Sequence, residues 1–384
     1  MKILFASDSF KGSLSSERIN ELLEESAHEI FPQAITEGVM VADGGEGTMD
    51  AVVKELKGTY RELSVCGPLG EETTAVYGVL PGGKAIIEMA QASGLPKVPP
   101  SLRNPKNTTS CGTGMMIRDA LDRGIRDIII GIGGSATNDG GMGAMSALGI
   151  KFLDKNGNRL TGCGADLGKV EQIDLSGLNP AVKEADFTVM CDVTNPLVGD
   201  NGATYTFGEQ KGAAKEDLDF LERGMKHYAA LTEQVTGKQE TMSEGAGAAG
   251  GLGFALSVFL NATLKSGIET VLDTIKFDDK LKDVDLVITG EGRMDWQSAF
   301  GKVPSGIGKR CKEKGIPAAA IVGGLLEGYD PIYEAGIETV ITTINGAMTL
   351  DEAMDKSESL YKDAACRLFR AIRCGMNIKE HRSI

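Results

Sequence analysis

Three acidic segments of the chain each combine carboxylates with glycines or a cation. They are SDSFKG (7–12), with Asp8 and Lys11; ADGGEG (42–47), with Asp43 and Glu46; and TGEGRMD (289–295), with Arg293 and Asp295. Carboxylates can hold Mg²⁺ or accept a proton from a hydroxyl, while Lys and Arg can neutralise a carboxylate or a phosphate. One such Asp could be an ordinary helix N-cap, but three similar segments indicate a functional rim.

The segment GIGGSATNDGGMG (131–143) follows the apolar run 127–130 and predicts a glycine-rich loop after a strand. Such a loop could cradle a phosphate, form a tight turn, or line the site of another small polar ligand. Residues 131–136 formally fit the dinucleotide pattern GxGxxA, but no ribose-binding acid follows at the end of a second parallel strand. Residues 245–250 fit GxGxxG but follow no strand. A nicotinamide-dependent enzyme is therefore disfavoured.

Two further polar segments belong to the middle of the chain. CDVTNP (191–196) places Asp192 at the end of a predicted strand, close to Thr194 and Asn195. QKGA (210–213) contains Lys211, which we expect to be a surface lysine. Asp192 is a candidate for proton transfer at a strand end.

Composition excludes several classes of function. The net charge of −14 and pI near 4.9 disfavour nucleic acid and anionic membranes as partners. The seven cysteines include no CxxC pair, and none of the three histidines lies in a glycine-rich segment. We therefore expect free thiols in a reducing cytoplasm, with neither a His/Cys metal site nor a Ser-His-Asp triad. The sequence shows no signal-peptide pattern, no membrane span, no Walker A loop and no protein-kinase motif set.

Apolar periodicity predicts an α/β fold of two domains. Predicted strands lie at 2–7, 36–42, 284–290, 317–324 and 338–344; predicted hairpins lie at 73–90 and 151–160; and a final helix runs from a capping box at Thr349 and Glu352 to about Ile372. We expect a discontinuous Rossmann-like parallel-sheet domain of residues 1–65 and 285–384. Residues 66–284 would form an inserted mixed α/β domain, with the active site in the cleft between the two.

Seven motifs, in order along the chain, closely resemble those of the glycerate kinase family of the bacterial type, glycerate kinase type 1. They are SDSFKGSLSS (7–16), ADGGEGT (42–48), IGGSATNDGGMG (132–143), CDVTNPL (191–197), EQKGA (209–213), EGAGAAGGLG (244–253) and TGEGRMDWQSAFGK (289–302). The resemblance implies ATP-dependent phosphorylation of D-glycerate with Mg²⁺, at the 2- or 3-hydroxyl, by a cytoplasmic enzyme. A homodimer is compatible with it.

Roles for single residues follow from what phosphoryl transfer requires, namely positioning and charge neutralisation. We expect Asp192 to be the base, with Asp8 as the second choice and Lys11 as a further catalytic candidate. The other assignments are substrate binding by Lys11, Arg293, Ser135, Asn138 and Asp139; ATP binding by Gly131, Gly133, Gly134, Gly290, Glu291 and Gly292; and Mg²⁺ binding by Asp43, Glu46 and Asp295. The alternative is a non-catalytic sensor of a sugar acid, but such a binder needs cations and no row of carboxylates.

Overall fold

The computed structural model describes residues 1–299 and 301–381, with side chains described as far as residue 378, so Phe300 of the 289–302 motif lies outside the described residues. The strands are β1 Lys2–Ser7, β2 Ile35–Gly38, β3 Thr59–Cys66, β4 Glu72–Leu80, β5 Lys84–Glu88, β6 Asp127–Gly131, β7 Lys151–Leu153, β8 Gln172–Asp174, β9 Asp186–Met190, β10 Thr263–Lys265, β11 Leu286–Met294, β12 Ala318–Leu325 and β13 Ile337–Thr342. The helices are α1 Ser16–Ile30, α2 Thr48–Glu55, α3 Ala90–Ser93, α4 Cys111–Asp122, α5 Met142–Ala147, α6 Ala203–Phe207, α7 Lys215–Thr236, α8 Ala248–Leu260, α9 Gly267–Thr274, α10 Phe277–Lys280, α11 Val303–Lys314, α12 Pro331–Glu334, α13 Leu350–Asp355 and α14 Ser357–His381.

Two compact units divide the chain. Unit 1 comprises Met1–Asp43 and Ile268–Ile384, and unit 2 comprises Gly44–Gly267. These boundaries differ from the predicted 1–65, 66–284 and 285–384. Residues 59–66 belong to unit 2 because β3 pairs antiparallel with β4 along its whole length.

Unit 1 is built on a five-stranded sheet in the order β13-β12-β11-β1-β2. Every neighbouring pair is parallel, so the carboxyl ends of the strands share one edge. Side chains alternate across a strand, and Ile3 and Phe5 join a buried cluster with residues of α1 and α14. The intervening Leu4 is also buried, which is expected of a parallel sheet covered on both faces.

Unit 2 contains a mixed sheet in the order β10-β9-β6-β5-β4-β3. The pairs β10–β9, β9–β6 and β6–β5 are parallel, whereas β5–β4 and β4–β3 are antiparallel. Its core combines the sheet with α4, α5, α7 and α8. The predicted α/β fold class is confirmed.

Several elements differ from the prediction, beginning with β2, which ends at Gly38 rather than at residue 42. The 151–160 stretch is not a simple hairpin, because β7 pairs with β8 and only one bridge joins Leu153 to Arg159. The capping box of Thr349 and Glu352 is present, but it begins the short α13, and α14 starts separately at Ser357. β11 continues to Met294, so the GEGRM stretch is strand rather than loop.

Candidate functional site

The carboxyl edge of the unit 1 sheet brings together two of the three acidic segments. Asp8 follows β1 directly, and its N–H donates to the carbonyl of Gly290 in β11 over 3.0 Å. In the sheet, β1 lies between β2, the next strand in the chain, and β11, a strand from much later in the chain. The strand order therefore reverses direction between β1 and β11. In parallel α/β sheets, ligands bind outside the strand ends at such a reversal of strand order. Asp8 therefore lies at this edge next to Gly290, whereas Gly290, Glu291 and Gly292 are part of β11 itself, which continues to Met294.

A cavity of about 540 Å³ opens at this edge of unit 1. Its lining consists of Asp8, Ser9, Phe10, Lys11, Ser13, Asp43, Glu291, Gly292, Arg293, Lys302, Gly323, Gly324, Thr343, Ile344, Met348, Thr349, Leu350, Ala353, Met354 and Ser357. Three carboxylates and three cations thus share one concave surface with several apolar side chains. This combination suits a small anionic ligand that also has an apolar part.

Two carboxyl groups of the cavity have strongly raised pKa values. Burial, with the charge of Asp43 as a smaller contribution, raises the pKa of Asp8 to about 6. Burial also raises the pKa of Glu291 to about 7, although the Ser298 hydroxyl and the Lys302 ammonium oppose the shift. Clustered carboxyls with raised pKa values in a cavity are typical of sites that bind cations or transfer protons.

The three predicted Mg²⁺ ligands occupy different settings. Asp43 lines the cavity in unit 1. Asp295 is buried directly after β11, where its Oδ1 accepts from the N–H of Gln297 and its N–H donates to Ser298 Oγ. Glu46 is an exposed residue of unit 2.

No group of three or more His, Cys, Asp or Glu side chains is arranged to hold a metal in the parts of the chain that the structure describes. Magnesium, however, is commonly bound by only one or two carboxylates, with water and phosphate completing its shell. Asp8 and Asp43 fit that donor set, because both line the cavity and the charge of Asp43 contributes to the raised pKa of Asp8.

The cations of the cavity are exposed or loosely paired. Lys11 and Arg293 are exposed, and Arg293 lies 3.6 Å from the carboxylate of Asp295. Lys302, which sequence reasoning missed, lies 3.6 Å from Glu291. Its only sequence signal was a lysine placed shortly after an acidic strand-end segment.

The parallel part of the unit 2 sheet forms a second strand-end edge. Glu88, Gly131 and Met190 are register partners at the ends of β5, β6 and β9. Asp192 therefore lies close to the start of the glycine-rich loop, and its Oδ1 accepts from the N–H of Gly267 over 3.0 Å. Sequence reasoning missed Glu88, a buried carboxylate that accepts from the N–H of Met49 over 2.8 Å.

Within the 131–143 loop, Asp139 serves the fold. Its buried carboxylate accepts hydrogen bonds from the N–H and Oγ of Ser110 and from the N–H groups of Gly141 and Gly143. Burial raises the pKa of this carboxyl, and the four donors oppose that rise. Backbone donors at the start of α5, which we expected to face a phosphate, thus face an internal carboxylate.

The exposed part of the same loop is its tip. Gly133 and Gly134 are exposed, whereas Gly131, Ser135 and Asn138 are buried. Gly134 has a φ of +72°, a conformation that favours glycine. Of the predicted ATP-binding glycines in this loop, Gly133 and Gly134 are the two whose backbone is open to a ligand.

Lys211 is buried, so its predicted surface position is wrong. Only 3% of the residue is exposed, and its Nζ donates to Ser135 Oγ over 2.8 Å and to the Thr137 carbonyl over 2.7 Å. Burial lowers the pKa of Lys211 to about 7. Nothing in its local sequence signals this burial, since it depends on how the 209–211 turn packs on the loop. Asn138 is held in the same region by a bond from Nδ2 to Thr204 Oγ1.

Comparison with known proteins identifies the family of the chain. The profile of the glycerate kinase family matches residues 3–373. The chain belongs to the glycerate kinase family. It is 46% identical over 379 residues to a glycerate 2-kinase of Escherichia coli K12, covering 98% of each chain. It is 43% identical over 364 residues to a glycerate kinase of Halalkalibacterium halodurans, covering 94% of this chain and 96% of that one.

A solved structure supports the same conclusion. A crystal structure from Salmonella typhimurium LT2, described as that of a glycerate kinase 2, superimposes with a TM-score of 0.89 at 42% identity. The match covers 98% of this chain and 99% of that one. The family resemblance drawn from the motifs is therefore confirmed, and the chain is an enzyme of the kinase class, with ATP as the cosubstrate of such enzymes. Among the described residues, no helix is long and apolar enough to span a bilayer.

Proposed function

We propose that this member of the glycerate kinase family transfers the γ-phosphoryl group of ATP to the 2-hydroxyl of D-glycerate. The products are 2-phosphoglycerate, ADP and the proton of the hydroxyl. The observation that carries the proposal is the unit 1 strand-end cavity, where carboxylates and cations share one surface. The choice of the 2-hydroxyl rests on the name of the Escherichia coli relative, a glycerate 2-kinase at 46% identity.

Asp192 is the proposed base for the hydroxyl proton. The side chain is exposed at the end of β9, and the hydrogen bond from the Gly267 N–H fixes one of its oxygens. A carboxylate held in this way can accept a proton while its position stays constant. Asp8 is the second choice: its pKa of about 6 suits a general base, but its carboxylate is assigned below to Mg²⁺.

Charge neutralisation falls to the cations and exposed backbone groups. Lys11 or Arg293 would pair with the carboxylate of D-glycerate, since both are exposed on the cavity. The N–H groups of Gly133 and Gly134 would contact phosphate oxygens. Asp8 and Asp43 would hold Mg²⁺, which when bound offsets negative charge on the phosphates. Asn138 and Asp139 would stabilise the 131–143 loop rather than contact the substrate, because both are buried and hydrogen-bonded to other protein groups.

Coupled measurement of ADP release, with ATP, Mg²⁺ and D-glycerate, tests the proposal directly. We expect release that depends on D-glycerate, and phosphorus NMR of the product should show 2-phosphoglycerate. Formation of 3-phosphoglycerate would contradict the assigned hydroxyl. Binding of D-glycerate without any ADP release would favour the sensor alternative.

A further inference from the structure

The unit 1 cavity has two chemically different sides. Charged residues lie at the strand ends, on β11 and directly after β1. The opposite wall comes from the segment after β13 and from α13, and its apolar members are Ile344, Met348, Leu350, Ala353 and Met354. Leu350 is 74% exposed and Met354 is also exposed, although both line a concave surface. Exposed apolar side chains grouped in a cavity indicate a ligand that covers them.

The cavity has more space than a triose acid fills. A volume of 540 Å³ equals about 18 water molecules at ~30 Å³ each. D-glycerate has seven non-hydrogen atoms, and it would fill only a small part of this space. The apolar wall would also remain uncovered, because glycerate is polar at every carbon.

The cavity has open space where β12 ends. Gly324 pairs with Arg293 of β11, and a Cβ added at Gly324 would meet no protein atom within 4 Å. Open space above bare backbone admits a planar group. Methionine side chains such as Met348 and Met354 adapt well to flat rings.

We propose that the apolar wall formed by residues 344–354 binds the purine ring of ATP, with the phosphates directed towards the charged strand ends. A nucleoside polyphosphate is apolar and flat at one end and anionic at the other, which matches both sides of this cavity. Lys302 supplies positive charge on the anionic side, together with whichever of Lys11 and Arg293 does not bind D-glycerate. The proposal rests on the kinase function, and it assigns the base-binding part of that function to unit 1.

Titration calorimetry on the full chain tests the site, with ADP, pyrophosphate and D-glycerate as separate probes in the presence of Mg²⁺. The blocking variant is Gly324→Leu, whose new side chain meets open space and should fill the cavity. The matched control is Gly375→Leu in α14, also in open space and outside the cavity lining. We expect Gly324→Leu to weaken ADP binding at least tenfold, and Gly375→Leu to change it less than twofold.

A second variant, Leu350→Asn, removes apolar surface without adding charge and leaves the core intact because Leu350 is exposed. We expect it to weaken ADP binding about fivefold while pyrophosphate and D-glycerate binding change less than twofold. Unchanged ADP affinity in both variants, or a loss confined to D-glycerate, would overturn the proposal. If the variants weaken ADP binding but the wild type does not phosphorylate glycerate, the purine site stands and the proposed reaction fails.

Discussion

Lys211 donates a hydrogen bond to Ser135 across 2.8 Å inside unit 2, and the lysine is almost completely buried. The pair joins the turn at 209–211 to the glycine-rich loop after β6. A buried ammonium with few partners is costly, which is why the pKa of Lys211 falls to about 7. The loop is thus fixed by a group that titrates near neutral pH.

Replacing Lys211 with Met should change how stability depends on pH. The folded pKa of about 7 lies below the ordinary value of 10.5, so between these values the unfolded chain binds more protons. Lys211 should therefore make the wild-type free energy of unfolding rise as the pH increases from about 7 to 10. Urea unfolding at several pH values should show that rise reduced in Lys211→Met. The exposed Lys215→Met is the control, and an equal effect there would contradict the assignment.

Replacing Asp139 with Asn should destabilise unit 2 without a specific effect on substrate binding. The amide loses charge-assisted bonds to Ser110 and presents its own NH₂ to buried donors, which costs about 3 kcal/mol. We expect a lower melting temperature, with KM for D-glycerate unchanged in the folded protein. Asp154→Asn, in an exposed turn, should shift the melting temperature less. A raised KM for D-glycerate at unchanged stability would instead support the predicted role of Asp139 in substrate binding.

Replacing Glu291 with Gln should make the free energy of unfolding less dependent on pH below neutrality. The folded pKa of about 7 exceeds the ordinary 4.5, so the folded state holds a proton that the unfolded chain releases in this window. Glu291 therefore makes stability fall as the pH rises from about 4.5 to 7. The variant should lose that fall in stability, which urea unfolding at several pH values will show. The exposed Glu327→Gln should keep the wild-type pH dependence, and an equal loss there would contradict the assignment.

Replacing Asp192 with Asn should keep the fold and reduce kcat by roughly 10²- to 10⁴-fold, the range typical of losing a general base. The amide can still accept from the Gly267 N–H, so the loop geometry should persist. Asp186→Asn, at the opposite end of β9, is the matched control and should retain wild-type turnover. Near wild-type kcat in Asp192→Asn would make Asp8 the better candidate for the base.

The sequence was informative wherever local pattern decides structure. Buried strands, the Thr349–Glu352 capping box and the strand-end position of Asp8 all follow from short-range periodicity and cap chemistry. The burial of Lys211 and the hydrogen-bond partners of Asp139 escaped prediction for the opposite reason. Their surroundings come from segments distant in sequence, such as Ser110 for Asp139, and spacing alone carries no information about such contacts.

The same limit explains the domain boundary. Residues 44–65 follow β1, α1 and β2 in the chain and read as a continuation of that pattern. They belong instead to unit 2, because β3 finds its partner in β4. A strand's choice of neighbour depends on cross-strand packing, which a single strand's composition does not reveal.

The discontinuity of unit 1 has a consequence for how the molecule reaches its native state. β1 pairs with β11, and the bond from Thr289 Oγ1 to the Ala6 carbonyl spans 283 residues. Unit 2 is continuous in sequence and contains all its own sheet partners. During synthesis it can fold first, while the N-terminal strand waits with an unpaired edge for β11 to emerge from the ribosome. Assembly of the acidic strand-end rim is therefore a late event, and the nascent chain is most exposed to misassociation through β1.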